Sequence, residues 1–566
     1  MKKIYCSLIL LLFVRLSIGQ TISTIQTQVS LIQVKPIGND QYIIVGNAGS
    51  SAATLNLPLC SSGSFELNGL GNIIGKYNAA TNCWSWIIPA VQRISFRYLD
   101  ADNNGNVYVT GSFDSTVTFP GNITKTSAGR SDIYVMKIDP QGNVLSVVAD
   151  GSSELDWSDG ITVDASGNVY VSGIFNFDLT HANQVNGSTV SSIYAAKYNN
   201  SLTRLWRNTY QGFASDNFGL YTKGTGISTD PAGNVYQTGV HCSNVTFSKT
   251  IKITLSGSNS QAGFVVKYNS NGLPQWARTV GKYSRGTHVI HDGAGNVYMG
   301  GEFWNSTINF GNNITLTQNA TASGNFAAGY VARFNPSGIA QWARKLGGSI
   351  DGTRGTVVSS GDHITILCAA SVNADSHVRV DGASPIPVSG TINFVLVTYS
   401  PAGMFSSMYM PTVTGVNSQN ASFNGINSVR GIASVSGGYM VWAGANSCST
   451  CSTTVQLDNA NVITANGVRV HYVATFLTGA STVARSAESP VEKLRRLTIY
   501  PNPAARYLSV YSDRNLGAVH IYDINGRKVY QMTVNETRAT LDLSDLPSGT
   551  YILETGGSRS VKFVKQ

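Results

Sequence analysis

The feature that most limits what this chain can fold into is a repeat. Gly105-Asn106-Val107-Tyr108, Gly167-Asn168-Val169-Tyr170, Gly233-Asn234-Val235-Tyr236 and Gly295-Asn296-Val297-Tyr298 begin 62, 66 and 62 residues apart. A fixed period of this length belongs to a repeat architecture, in which each unit buries its apolar faces against its neighbours. Each core follows an Asp and leads into a strand that contains Gly, as from Asp164 through Gly173. A second signature recurs downstream, as Asp139-Pro140-Gln141-Gly142, Asn269-Ser270-Asn271-Gly272, Asn335-Pro336-Ser337-Gly338 and Ser400-Pro401-Ala402-Gly403. Trp206-Arg207, Trp276-Ala277-Arg278 and Trp342-Ala343-Arg344 fall in the strands that go with it. Both signatures read as tight hairpins. Asp, Asn or Ser accepts a hydrogen bond from the backbone two residues on, Pro presets φ, and Gly takes the positive φ that closes the turn.

Each unit therefore reads as four strands. In the third unit they are expected at 160–164, 168–175, 192–198 and 203–210, with tight hairpins after the first and third and a long polar link after the second. Weaker copies extend the series. Asp40 to Gly46 with Lys76-Tyr77-Asn78 gives one before the clear four; Gly361 to Leu367 and Gly438 to Gly444 give two after, which makes seven units. The last unit lacks a fourth strand, because residues 468–477 run straight into a polar linker. Residues 21–30 alternate like a strand that has no unit of its own. Ring closure resolves both: the N-terminal strand becomes the outer strand of the last blade, and no open sheet edge is left to associate. The expected fold class is all-β, a seven-bladed β-propeller. The Asp-x-x-Gly-Asn-Val-Tyr-x-x-Gly core and the Trp-Ala-Arg strand resemble the SBBP-type propeller repeats of bacterial exported proteins, a resemblance that implies a propeller and no single activity.

Composition agrees. Gly numbers 58 of 566 residues and charged residues make only 12%, which suits short strands and turns better than helices. The net charge of +9 is spread thinly, without a basic stripe interleaved with aromatics, so nucleic acid is not an expected partner. Residues 1–19 read as a signal peptide: Lys2 and Lys3, an apolar run at 8–14, and Ser17-Ile18-Gly19 before a cut ahead of Gln20. Arg15 interrupts the apolar run, and Cys6 lies too early to be the lipidated first residue of a mature chain. No later stretch reaches 18 apolar residues, so no transmembrane segment is expected in the mature protein. Export permits disulfides. Cys448 with Cys451 is the first expected pair and Cys60 with Cys83 the second; Cys368, in an apolar strand, is expected to be a buried free thiol. Cys448-Ser449-Thr450-Cys451 has neither a second CxxC nor a His pair, so no metal and no cofactor is expected.

Composition shifts near residue 481. Residues 481–496 read as a linker after a propeller spanning 20–480. Residues 497–566 then carry short alternating strands with Asn-Gly and Pro-Ser-Gly turns, the pattern of a small Ig-like β-sandwich. Four segments stand in order: Tyr500-Pro501-Asn502-Pro503, Asp523 to Val529 through Gly526-Arg527, Leu546 to Tyr551 through Gly549, and Lys562-Phe563-Val564-Lys565. Together they closely resemble the type A C-terminal sorting domain of the type IX secretion system of Bacteroidetes. The resemblance implies the secretion machinery as partner and passage through the periplasm to the outer-membrane surface or the medium.

Alternation of strand direction gathers the long links on one face, where loops usually carry function. They are expected to bring Asp156, Trp157, Asp159, Asp216, Arg285, Asp351, Arg354 and Arg430 to the mouth of an axial channel, as a polar pocket for a glycan or protein or as caps of the loop backbone. Asp100-x-Asp102-x-Asn104-Gly105 matches half a calcium loop, but Gly111 stands where the liganding Glu belongs, so a hairpin turn is the better reading. No H-E-x-x-H or G-x-S-x-G spacing occurs, and no catalytic residue is assigned. The sequence thus points to an exported binding or scaffold module. The alternative is a polysaccharide-active hydrolase or lyase working at the channel mouth, with Asp156 and Asp351 as acid and base.

Overall fold

In the computed structural model the described residues are 21–477 and 497–566, apart from short internal stretches of which 178–187, 318–327 and 415–426 are the longest. The chain divides into two compact units, Met1–Thr482 and Val483–Gln566. Both are all-β among the described residues, and the first is of the β-propeller type.

The larger unit repeats one antiparallel order: each strand pairs with the next, from an inner strand outward. The fourth sheet in chain order is typical, with Lys223–Thr229, Val235–His241, Ala262–Tyr268 and Pro274–Lys282. The other inner strands are Ser30–Pro36, Ile94–Ala101, Leu155–Val163, Ser284–His291, Ile350–Val358 and Asn427–Val435. Each touches the next in the series, and Asn427–Val435 touches Ser30–Pro36. Thr21–Thr27 pairs antiparallel with Val470–Leu477 along its whole length, so the N-terminal strand is the outer edge of the last sheet, in keeping with its alternation.

The repeat motif builds the hairpins as its chemistry requires. Asp164 Oδ1 accepts the N–H groups of Ser166 and Asn168, each at 2.9 Å, and Oδ2 accepts Asn168 Nδ2 and the Tyr170 hydroxyl, each at 2.8 Å. Asp102, Asp230 and Asp292 do the same with their own Asn and Tyr. Burial pushes the Asp164 carboxyl up, but the bonds from Asn168 and Tyr170 outweigh it and hold the group below the usual carboxylate range. The oxygens of Asp102 are occupied by its own turn, so the half-match to a calcium loop is a hairpin.

The second signature locks neighbouring sheets together. Trp86, Trp206, Trp276 and Trp342 donate Nε1–H to the carbonyl oxygens of Pro140, Ser270, Pro336 and Pro401 in the following sheet, at 3.1, 3.2, 2.9 and 3.0 Å. The indole lies flat against the turn glycine. A Cβ on Gly142, Gly272, Gly338 or Gly403 would stand 2.5–2.7 Å from that ring, and all four glycines have positive φ.

Two features depart from the sequence reading. Strands are longer than their motifs: the third sheet is built of Leu155–Val163, Val169–Phe177, Ser188–Tyr198 and Arg204–Ser215. The polar links after the second strands are not plain loops either. Apart from the link of the third unit, which lies outside the described residues, they form small hairpins, as Thr116–Phe119 with Ile123–Thr126, whose Val117 and Phe119 are buried in the sheet's core. In the sixth unit this hairpin, His377–Val380 with Ile386–Pro387, pairs with Ala340–Gly348 and covers the outer edge of the fifth sheet.

Cys60 and Cys83 form a disulfide. Cys448 and Cys451 lie outside the described residues, as do the expected signal peptide at 1–19 and linker at 481–496. Cys368 is fully buried in its sheet.

The smaller unit has two antiparallel sheets. One contains Leu497–Tyr500, Tyr507–Ser512 and Arg538–Asp542; the other contains Gly517–Asp523, Lys528–Val534, Gly549–Thr555 and Val561–Lys565. Alternate residues of both sheets, among them Leu508, Val510, Leu541, Ile521, Leu553 and Phe563, bury one shared core.

Candidate functional site

Each inner strand carries a β-bulge at the same register. The shift falls between Leu31 and Gln33, Phe96 and Tyr98, Ser158 and Gly160, Gly224 and Gly226, Gly286 and His288, Thr353 and Gly355, and Val429 and Gly431. The residues left without a cross-strand partner are Ile32, Arg97, Asp159, Thr225, Thr287, Arg354 and Arg430. A bulge re-aims the side chain it frees, and bulges gather next to sites for that reason.

The repeat itself encodes this bulge. The last glycine of the motif lies opposite the residue before it: Gly111 pairs with Phe96, Gly173 with Ser158, Gly239 with Gly224 and Gly301 with Gly286. A Cβ on these glycines would sit 1.8, 2.2, 2.1 and 2.2 Å from the carbonyl oxygens of Ser95, Trp157, Lys223 and Arg285. The backbone kinks into space that only glycine leaves open. Gly160 and Gly226, just past their bulges, let the next inner strand approach: a Cβ there would lie 3.0 Å from the carbonyl oxygens of Thr225 and Thr287.

The freed residues of the first five sheets line a cavity of about 730 Å³ among the inner strands. Its charged groups are Arg97, Lys223 and Arg285 with Asp159 and Glu302. Asp159 is nearly buried and takes Lys223 Nζ at 2.6 Å, Arg97 Nη2 at 3.8 Å and the Trp157 indole N–H at 3.2 Å. Glu302, also buried, takes Arg285 through Nε at 3.0 Å and Nη2 at 2.6 Å. Tyr98 forms part of the wall, and burial pushes its phenol up to about 12. Gln33 accepts Leu99 N–H with Oε1, and Asn72 donates Nδ2–H to the Phe96 carbonyl, so two amides are fixed at the rim. Among the described residues no cluster of His, Cys, Asp and Glu fits a metal ion.

The residues expected at the channel mouth separate into groups. Asp159 and Arg285 line the cavity. Trp157 sits behind Asp159 as its donor. Asp156 is away from the lining: fully buried, it accepts Ser152 N–H at 2.6 Å, Ser152 Oγ at 2.9 Å and Asn176 N–H at 2.6 Å, and so ties a loop to its sheet. Burial pushes its carboxyl up to about 6 despite these bonds. Arg354 and Arg430 occupy two of the bulge positions, and Asp351 lies three residues earlier in the same strand as Arg354. Asp216 falls outside the described residues. Arg97, Tyr98, Lys223 and Glu302 were not singled out in the sequence. A signal for the bulge existed, since Arg97, Asp159, Thr225 and Thr287 each stand eight positions before the first glycine of their Gly-Asn-Val-Tyr core.

Comparison with known proteins adds the following. Residues 498–566 match the secretion system C-terminal sorting domain. The tail marks the chain for export by the type IX secretion system, to the cell surface or the medium. No helix among the described residues is long and apolar enough to cross a membrane. An uncharacterized WD repeat-containing protein of Acanthamoeba polyphaga mimivirus is 23% identical over 402 residues, which span 59% of this chain and 28% of that protein. Among solved structures, the Dos1 propeller is 9% identical with a TM-score of 0.38, covering 81% of this chain and 95% of its own. PorZ, a surface component of the type IX secretion system of Porphyromonas gingivalis, is 9% identical with a TM-score of 0.15, covering 96% of this chain and all of its own.

Proposed function

We propose that this exported chain is a recognition module, in which SBBP-type repeats at 20–480 close into a seven-bladed wheel and the cavity on its axis binds a carbohydrate or protein ligand. In this reading residues 1–19 are removed as a signal peptide, 481–496 form a linker, and 497–566 are an Ig-like sandwich that engages the secretion machinery. What supports the closed wheel is the cycle of inner-strand contacts together with the pairing of Thr21–Thr27 and Val470–Leu477. The observation that carries the binding role is the bulge register: one backbone device repeats around the axis and presents Ile32, Arg97, Asp159, Thr225 and Thr287 to a single cavity. A scaffold alone does not call for side chains of such different chemistry at one conserved backbone position. The hydrolase or lyase alternative gains nothing from the cavity, where both carboxylates are ion-paired, nor from Asp156, whose oxygens are taken by a loop.

The mature full-length protein should bind members of a glycan or protein array, and filling the cavity with Thr287→Trp should abolish that binding while leaving the β-sheet circular dichroism unchanged. Binding that survives the substitution would move the site elsewhere. Deleting 497–566 should hold the protein in the periplasm; surface display despite the deletion would overturn the role of the tail.

A further inference from the structure

We infer that the axial cavity takes an acidic saccharide, a short chain carrying carboxylate or sulfate groups, and that the bulge residue Arg97 reads its negative charge. This rests on the recognition role proposed above and names its ligand class.

Charge balance is the first argument. The cavity holds three cations and two carboxylates, and both carboxylates are already matched. Arg285 is committed to Glu302 through two of its nitrogens, and Lys223 to Asp159. Arg97 differs. Its closest charged partner among the described residues is Asp159 at 3.8 Å, beyond hydrogen-bond range, and the Asp159 oxygen that Lys223 and Trp157 use is the other one. A guanidinium carries five N–H donors in a planar fork that suits a carboxylate or sulfate. Those donors sit at a cavity wall.

Size and lining favour a saccharide over a protein surface. About 730 Å³ is small-ligand scale, and a folded domain does not enter it. The lining includes Tyr98, an aromatic residue of the kind that packs against the apolar side of a sugar. The rim adds amide groups: with Gln33 Oε1 and Asn72 Nδ2 already bonded inward, no partner among the described residues takes the Gln33 NH₂ or Asn72 Oδ1. These are hydrogen-bonding groups for hydroxyls.

The test is titration calorimetry of the mature full-length protein with four probes: a uronate tetramer, a sulfated tetramer, the neutral parent tetramer and a poly-glutamate peptide. Tight binding of the uronate or the sulfate form is expected, weakening with added salt, with the neutral parent at least tenfold weaker. Arg97→Gln should weaken the acidic saccharide by about tenfold or more, the loss of one charge-assisted contact, while the exposed Lys249→Gln changes nothing. Arg97→Lys should restore only part of the affinity, because the fork is lost. Equal binding of neutral and acidic tetramers, with Arg97→Gln unaffected, overturns the acidic class and leaves the recognition role standing. Binding of poly-glutamate alone overturns the saccharide and likewise leaves the role standing. Absence of binding to all four probes, joined to a blank glycan and protein array, overturns both.

Discussion

The hairpin rim and the bulge ring belong to the same repeat and treat sequence in opposite ways. At the rim, one side-chain set recurs, and each copy makes the same bonds: Asp to Asn and Tyr within the turn, Trp to the next turn's carbonyl. At the ring the backbone recurs while the side chain changes, from Ile32 to Arg97 to Asp159 to Thr225. Where every donor and acceptor is used internally, substitution costs stability. Where the backbone alone supplies the shape, the side chain is left to vary. Repetition of residues therefore marks the scaffold, and repetition of backbone without residues marks the wall of the cavity.

Substitutions can break this contrast, and the largest effect is expected at the rim. Trp276→Ala removes a nearly buried indole, its bond to Pro336 and its contact with Gly338, and should cost about 3–5 kcal/mol in denaturant unfolding. A loss under 1 kcal/mol would show that the staple is not structural. Next comes Gly239→Ala, where the added Cβ meets the Lys223 carbonyl oxygen at 2.1 Å. A cost of about 2 kcal/mol or more is expected, with slower exchange protection lost locally in Lys223–Thr229, because the kink that forms the bulge cannot persist.

Asp156 sharpens the comparison from between the two regions, since it holds a loop but avoids the cavity. Its pKa, raised by burial to about 6, lies above that of the unfolded chain, so the folded state holds the proton more tightly. Its contribution is thus fully present below about pH 4 and lost as pH rises through 6, a change on the order of 2 kcal/mol. Asp156→Asn should flatten the stability profile between pH 4 and 6; an unchanged profile would assign the dependence to another group. The smallest effect is expected at the ring. Thr225→Ala gives up the bond from Oγ1 to the Gly286 carbonyl, about 1 kcal/mol or less, and should leave the sheet intact. A cost as large as that of Trp276→Ala would erase the distinction between rim and ring.

The sequence by itself determined the hairpins, the four-strand unit and the sorting tail. These depend on contacts within a few residues: Asp164 with Asn168 and Tyr170, or Gly with a positive φ, is complete once the local chain is written. It also placed the N-terminal strand at the edge of the last sheet, through an alternation with no other partner. Tertiary structure alone decided the rest. That Asp159 faces Lys223 and Arg97 while Asp156, three residues earlier, is spent on a loop belongs to a strand whose ladder is broken twice, between Leu155 and Trp157 and between Ser158 and Gly160. The Trp lock and the cavity join residues about sixty positions apart through neighbouring sheets. Their pairing is a property of packing, and no local pattern could state it in advance.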